Sequence, residues 1–94
     1  SPNQVGVLYL FFDEQMQPEV GRYIGWNELQ KRQEKSNLIS KSARFSPTFL
    51  DAVLETLVRD QFLLSSGDSY ALYPGFSHFN HVSFYPLGQF GKGF

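Results

Sequence analysis

Ser46-Pro47-Thr48-Phe49-Leu50-Asp51-Ala52-Val53-Leu54-Glu55-Thr56-Leu57-Val58-Arg59-Asp60, followed by Gln61-Phe62-Leu63-Leu64-Ser65-Ser66-Gly67-Asp68-Ser69-Tyr70-Ala71-Leu72-Tyr73, decides the fold of this chain. Ser46 suits a helix N-cap, where its hydroxyl accepts from free amides, and Pro47 suits the first helical position, where its missing N–H is no loss. Leu50, Val53, Leu54, Leu57 and Val58 recur at i, i+3, i+4, i+7 and i+8, one face of a 3.6-residue period. That face demands burial. Beyond Asp60 the period changes: Phe62-Leu63-Leu64 and Tyr70-Ala71-Leu72-Tyr73 flank the turn-forming stretch Ser65 to Ser69, the pattern of a short hairpin.

Upstream, Val5, Leu8, Tyr9, Phe12 and Met16 sit at helical spacing with Asn3 as the expected cap, and a helix is the expectation, although the aromatic and β-branched content of 5–12 also suits a fully buried strand. Gly6 and the acids Asp13 and Glu14 count against a helix, since glycine weakens its interior and carboxylates oppose the dipole at its C-terminal end. Pro18 and Gly21 mark a loop, and Tyr23-Ile24-Gly25-Trp26 reads as a very short strand. Asn27-Glu28-Leu29-Gln30 resembles a capping box that opens a polar helix reaching about Lys35. The mixed stretch 36–45 reads as a loop. Downstream, Pro74, Pro86 and several glycines prevent a long helix, and His81-Val82-Ser83-Phe84-Tyr85 suits an extra strand.

The order helix, short strand, helix, helix, hairpin is similar to the winged helix-turn-helix family. The match rests on Ser46-Pro47-Thr48-Phe49-Leu50, on Leu54, Leu57 and Val58, and on Phe62-Leu63-Leu64 with Tyr70-Ala71-Leu72. The resemblance covers residues 5–75 and implies an α+β fold of three helices with a C-terminal β-hairpin wing. In it, 46–60 stands where the third helix stands, and the chain departs from the family in the length of 36–45. The expected organisation is a winged-helix-like domain over 1–76 and an aromatic and glycine-rich extension over 77–94.

Composition narrows the function classes. The 94 residues hold ten Phe, five Tyr and one Trp, carry a net charge of −1 and lack cysteine. This excludes a disulfide framework and a thiolate nucleophile, and it disfavours bulk electrostatic binding of a polyanion. The apolar run from Val7 to Phe12 is far shorter than the roughly 20 residues a bilayer requires. A signal peptide is not expected, and an intracellular location is.

The resemblance implies DNA binding, with the third helix in the major groove and the hairpin against the backbone. Lys31, Arg32, Lys35, Lys41 and Arg44, opposed locally only by Glu34, are the expected phosphate contacts on double-stranded DNA, and Thr48 and Arg59 are placed to approach bases. Against this stand Asp51 and Glu55 on the outward helix face and a hairpin tip without Lys or Arg. The alternative is a protein-protein interaction or dimerisation module that uses the third-helix face or the aromatic tail of Phe79, Phe84, Tyr85, Phe90 and Phe94. His78 and His81 form a His-x-x-His pair without further ligands nearby, so no metal and no cofactor is expected. Nucleophile elbows and phosphate-binding loops are absent from the sequence, and an enzyme is not expected.

Overall fold

The computed structural model describes residues 1–76. Helix α1 spans Pro2–Leu8 and continues as a 3-10 turn over Tyr9–Phe11; strand β1 is Ile24–Gly25. Helices α2 (Trp26–Glu34), α3 (Lys41–Arg44) and α4 (Pro47–Arg59) follow, then strands β2 (Leu63–Ser66) and β3 (Ser69–Leu72). These residues form an α+β fold of four helices and one three-stranded antiparallel sheet in the order β1-β3-β2. Among them no helix is long and apolar enough to cross a membrane. The expectations placed on Phe79, Phe84, Tyr85, Phe90 and Phe94, on His78 and His81, and on a strand over 81–85 lie outside the described residues.

Helix α4 forms as its residues dictate. The Ser46 hydroxyl accepts from the Phe49 amide at 3.1 Å, Pro47 occupies the first turn, and Leu50, Val53, Leu54 and Leu57 are buried. Val58, expected on the same stripe, is half-buried at its edge. The helix ends with Gln61 at φ 67°, while the amides of Gln61 and Phe62 bond back to the carbonyls of Val58 and Leu57 at 3.1 and 2.9 Å. This left-handed stop usually takes glycine, which is why nothing in the composition of 59–62 announces it. In the hairpin, Ser66 pairs with Ser69 and leaves Gly67-Asp68 as a two-residue loop. Gly67 supplies the positive φ, 61°, that the first central position of a type II′ turn requires.

The core lies between α1, α4 and the sheet, with Leu8, Phe11, Leu29, Leu50, Leu54, Leu57, Leu63 and Leu72 fully buried or nearly so. Burial of each such side chain stabilises the fold by roughly 1.5–3 kcal/mol, which makes this cluster the main source of stability.

Four local expectations need correction. The cap of α1 is Ser1, not Asn3: its hydroxyl accepts from the Gln4 amide at 3.3 Å, and the Gln4 side chain returns the bond, a Ser-x-x-Gln capping box. The N-terminal helix does not reach Met16, because Asp13 folds 13–17 into a turn by accepting from the amides of Gln15 and Gln17, both at 2.9 Å. Helix α2 begins at Trp26 after Gly25, with no side-chain cap from Asn27; the Trp26 amide bonds the Asp68 carbonyl at 2.8 Å instead. Within 36–45 the chain forms α3, which makes four helices where three were expected. Ser40 caps it by accepting from the Ala43 amide, and four residues are too few to show an apolar period.

Candidate functional site

The five cations expected to contact phosphate fall into two groups. Lys31, Lys35 and Lys41 are exposed, and none of them has an ion-pair partner among the described residues. Arg32 and Arg44 are half-buried and spend their guanidinium groups inside the fold. Arg32 donates to the Leu10 carbonyl at 2.8 Å, to Glu19 at 3.2 Å and to Glu28 at 3.1 Å. It thereby ties the 3-10 turn, the loop before β1 and α2 to one another. Arg44 donates through Nη2 to the Ile39 carbonyl at 3.2 Å, and its Nε is buried without a partner. Glu28 and Arg32 are four apart on a helix, a spacing that flags their pairing; Glu19 is distant in sequence, and nothing nearby signals its part.

In the last turn of α2 stands Gln33, fully buried, its Nε2 within 3.1 to 3.2 Å of the carbonyls of Ala43, Arg44 and Ser46. This side chain fixes the angle at which α3 and α4 leave the preceding helix. In the sequence it sits within a polar run and carries no mark of burial.

The outward face of α4 presents Thr48, Asp51, Ala52, Glu55 and Arg59 to solvent. Asp51 accepts from the indole N–H of Trp26 at 2.7 Å, so the start of α2 and the first turns of α4 share one surface. Tyr70 of β3 adjoins it: its phenol is held above its ordinary value, first by burial and then by the carboxylates of Asp51, Asp68 and Glu55. An open cleft of about 510 Å³ runs here between α4 and the hairpin, lined in part by Asp51, Glu55, Ser65 and Tyr70. Arg59 also lines it, its Nε on the Asp60 carboxylate at 3.1 Å. The surface is acidic with two aromatic side chains set in it. Thr48 and Arg59, expected near bases, share this face with the carboxylates.

Among the described residues no group of three or more His, Cys, Asp and Glu side chains is placed to hold a metal ion. Comparison of the chain with family models, with curated proteins and with solved structures returns no match.

Proposed function

We propose that residues 1–76 form a winged-helix-like assembly module that meets a protein partner through the outward face of α4 and the adjoining hairpin. The element order α1, β1, α2, α4, β2, β3 and the sheet order β1-β3-β2 support the winged-helix reading, with α3 as an additional turn of helix before the third main helix. The observation that carries the functional reading is the cleft that Asp51, Glu55 and Tyr70 line together, with Trp26 bonded to Asp51. A duplex whose major groove received this helix would set its phosphates against those carboxylates, where like charges repel. A protein segment rich in Lys and Arg gains from the same field, and the two aromatic side chains offer it apolar contact and cation–π partners. The role needs no reacting group.

Trp26 is the only tryptophan and reports directly on this surface. A lysine-rich peptide titrated into the protein at low salt is expected to shift Trp26 emission, and the pair Asp51→Asn, Glu55→Gln is expected to weaken that binding about tenfold or more. A peptide that leaves the emission unchanged while labelled duplex DNA binds would defeat this reading.

DNA binding is retained as a second reading on one observation, the exposure of Lys31, Lys35 and Lys41 without ion-pair partners among the described residues. Three phosphate contacts would give a slope of log affinity against log salt of about −2.7, and replacing the three lysines by Ala would abolish it.

A further inference from the structure

Four residues apart on the outward face of α4, Glu55 and Arg59 have the spacing of a helical ion pair. Arg59 turns instead to Asp60, with Nε on its carboxylate at 3.1 Å, and Gln4 donates to the other oxygen of that carboxylate at 3.0 Å. Glu55 is thereby left exposed, with no hydrogen bond or ion pair among the described residues. One turn earlier, Asp51 accepts the Trp26 indole N–H through Oδ1 at 2.7 Å, which fixes the carboxylate and leaves Oδ2 without a donor among the described residues.

Both carboxylates line the cleft between α4 and the hairpin, together with Val58 and Tyr70. Val58 is half-buried and brings an apolar surface. Tyr70 stands opposite Ser65 in the register of β2 and β3, so the two side chains project from one face of the sheet, and both line the cleft. Apolar surface, an aromatic ring and two unpaired carboxylates together suit a long side chain with a methylene stem and a cationic head. The spacing chooses between the two such side chains. Residues four apart on a helix hold their Cβ atoms about 5–6 Å apart, and a guanidinium, with five N–H donors in one plane, bonds two carboxylates at once while its face lies on a ring. An ammonium is a compact and strongly hydrated point charge that does not match this arrangement.

We propose that the cleft seats a single arginine side chain of the partner, its guanidinium between Asp51 and Glu55 and against the Tyr70 ring, its stem on Val58. This rests on the protein-partner reading above and sharpens it: the field of the α4 face draws in a basic segment, and the cleft selects arginine over lysine within that segment.

The test titrates the full chain with short lysine-rich peptides that differ only at one central position, occupied by Arg, Lys or citrulline, and follows Trp26 emission. The Arg and Lys peptides carry the same charge, so the general field acts on both alike. The Arg peptide is expected to bind about fivefold tighter than the Lys peptide, and the citrulline peptide more weakly than either. Tyr70→Leu and, separately, Glu55→Gln are expected to remove the preference for Arg, and Tyr70→Phe to keep it; Glu55 is exposed and unbonded, so its variant leaves the fold intact. Equal binding of the Arg and Lys peptides would overturn this inference and leave the protein-partner reading standing, whereas failure of every peptide to bind would defeat both. An Arg preference undiminished in Glu55→Gln would put the guanidinium elsewhere and also overturn it.

Discussion

Gln33 sets two amide hydrogens against three carbonyl oxygens, those of Ala43, Arg44 and Ser46, and its own Oε1 is buried without a partner. A buried acceptor deprived of its donor costs about 1–3 kcal/mol, and a methionine of similar volume would take the Gln33 donor from the Arg44 carbonyl without opening a cavity, while the carbonyls of Ala43 and Ser46 keep the backbone amides of Ser46 and Leu50. Gln33→Met is therefore expected to lower stability by about 1–2 kcal/mol in urea denaturation, at an unchanged m-value; an unaltered midpoint would show that the Arg44 carbonyl finds another donor. This residue also shows where reading a sequence reaches its limit. Leu50 and Leu54 announce their burial because an apolar side chain at helical spacing has one sensible place to go. A glutamine does not, since its fate depends on carbonyls that another segment brings to it. Arg32 is the same case: as a cation it reads as a surface group, yet its guanidinium is taken up by Leu10, Glu19 and Glu28.

At the scale of elements, α1 and α4 are joined at their polar margin by Gln4, whose Nε2 donates to the Thr56 hydroxyl at 3.2 Å and to the Asp60 carboxylate at 3.0 Å. The hydrogen bond from Arg59 first, and that from Gln4 second, hold the Asp60 carboxyl below the ordinary carboxylate range. A lowered pKa in the folded state means that the stabilisation is present above the unfolded value of about 3.9 and is lost as pH falls through the folded value. Thermal melts between pH 6 and pH 2 are expected to show wild type above Asp60→Asn at the upper end and the two converging at the lower; parallel curves would remove Asp60 from the link. Helix α4 and its hairpin were legible because cap, stripe and turn residues are contiguous. Helix α1 was legible as a helix but not in its bounds. Its capping box needs Ser1 and Gln4 to be read together, and its end is set by Asp13 capturing the amides beyond it.

For the molecule as a whole, the telling contact is Gly6, where an added Cβ would lie 3.0 Å from the Leu38 carbonyl oxygen and 3.1 Å from Ile39 Cγ1. In an isolated helix, Gly→Ala gains about 1 kcal/mol, but here the substituent meets backbone that is itself pinned by Arg44 on the Ile39 carbonyl. Gly6→Ala is expected to destabilise by about 1–2 kcal/mol net, measured by calorimetry, and a raised melting temperature would show that the 36–40 loop yields. The glycine that weakened the expectation of a helix is thus what lets the helix seat against that loop. The three-stranded sheet has a consequence of its own, in time. Its third member, β1, is two residues long and reaches β3 only through Ile24 opposite Tyr70 and Gly25 opposite Ser69. Helix α4 and the hairpin lie next to one another along the chain, whereas Gln4 must find Thr56 across 52 positions. Local contacts close quickly and distant ones slowly, so the C-terminal half is expected to assemble first and to wait for its N-terminal partner. During that interval the stripe of Leu50, Val53, Leu54 and Leu57 has only the hairpin beside it, and the exposed half-domain, more than the finished one, is the species at risk of sticking to its neighbours.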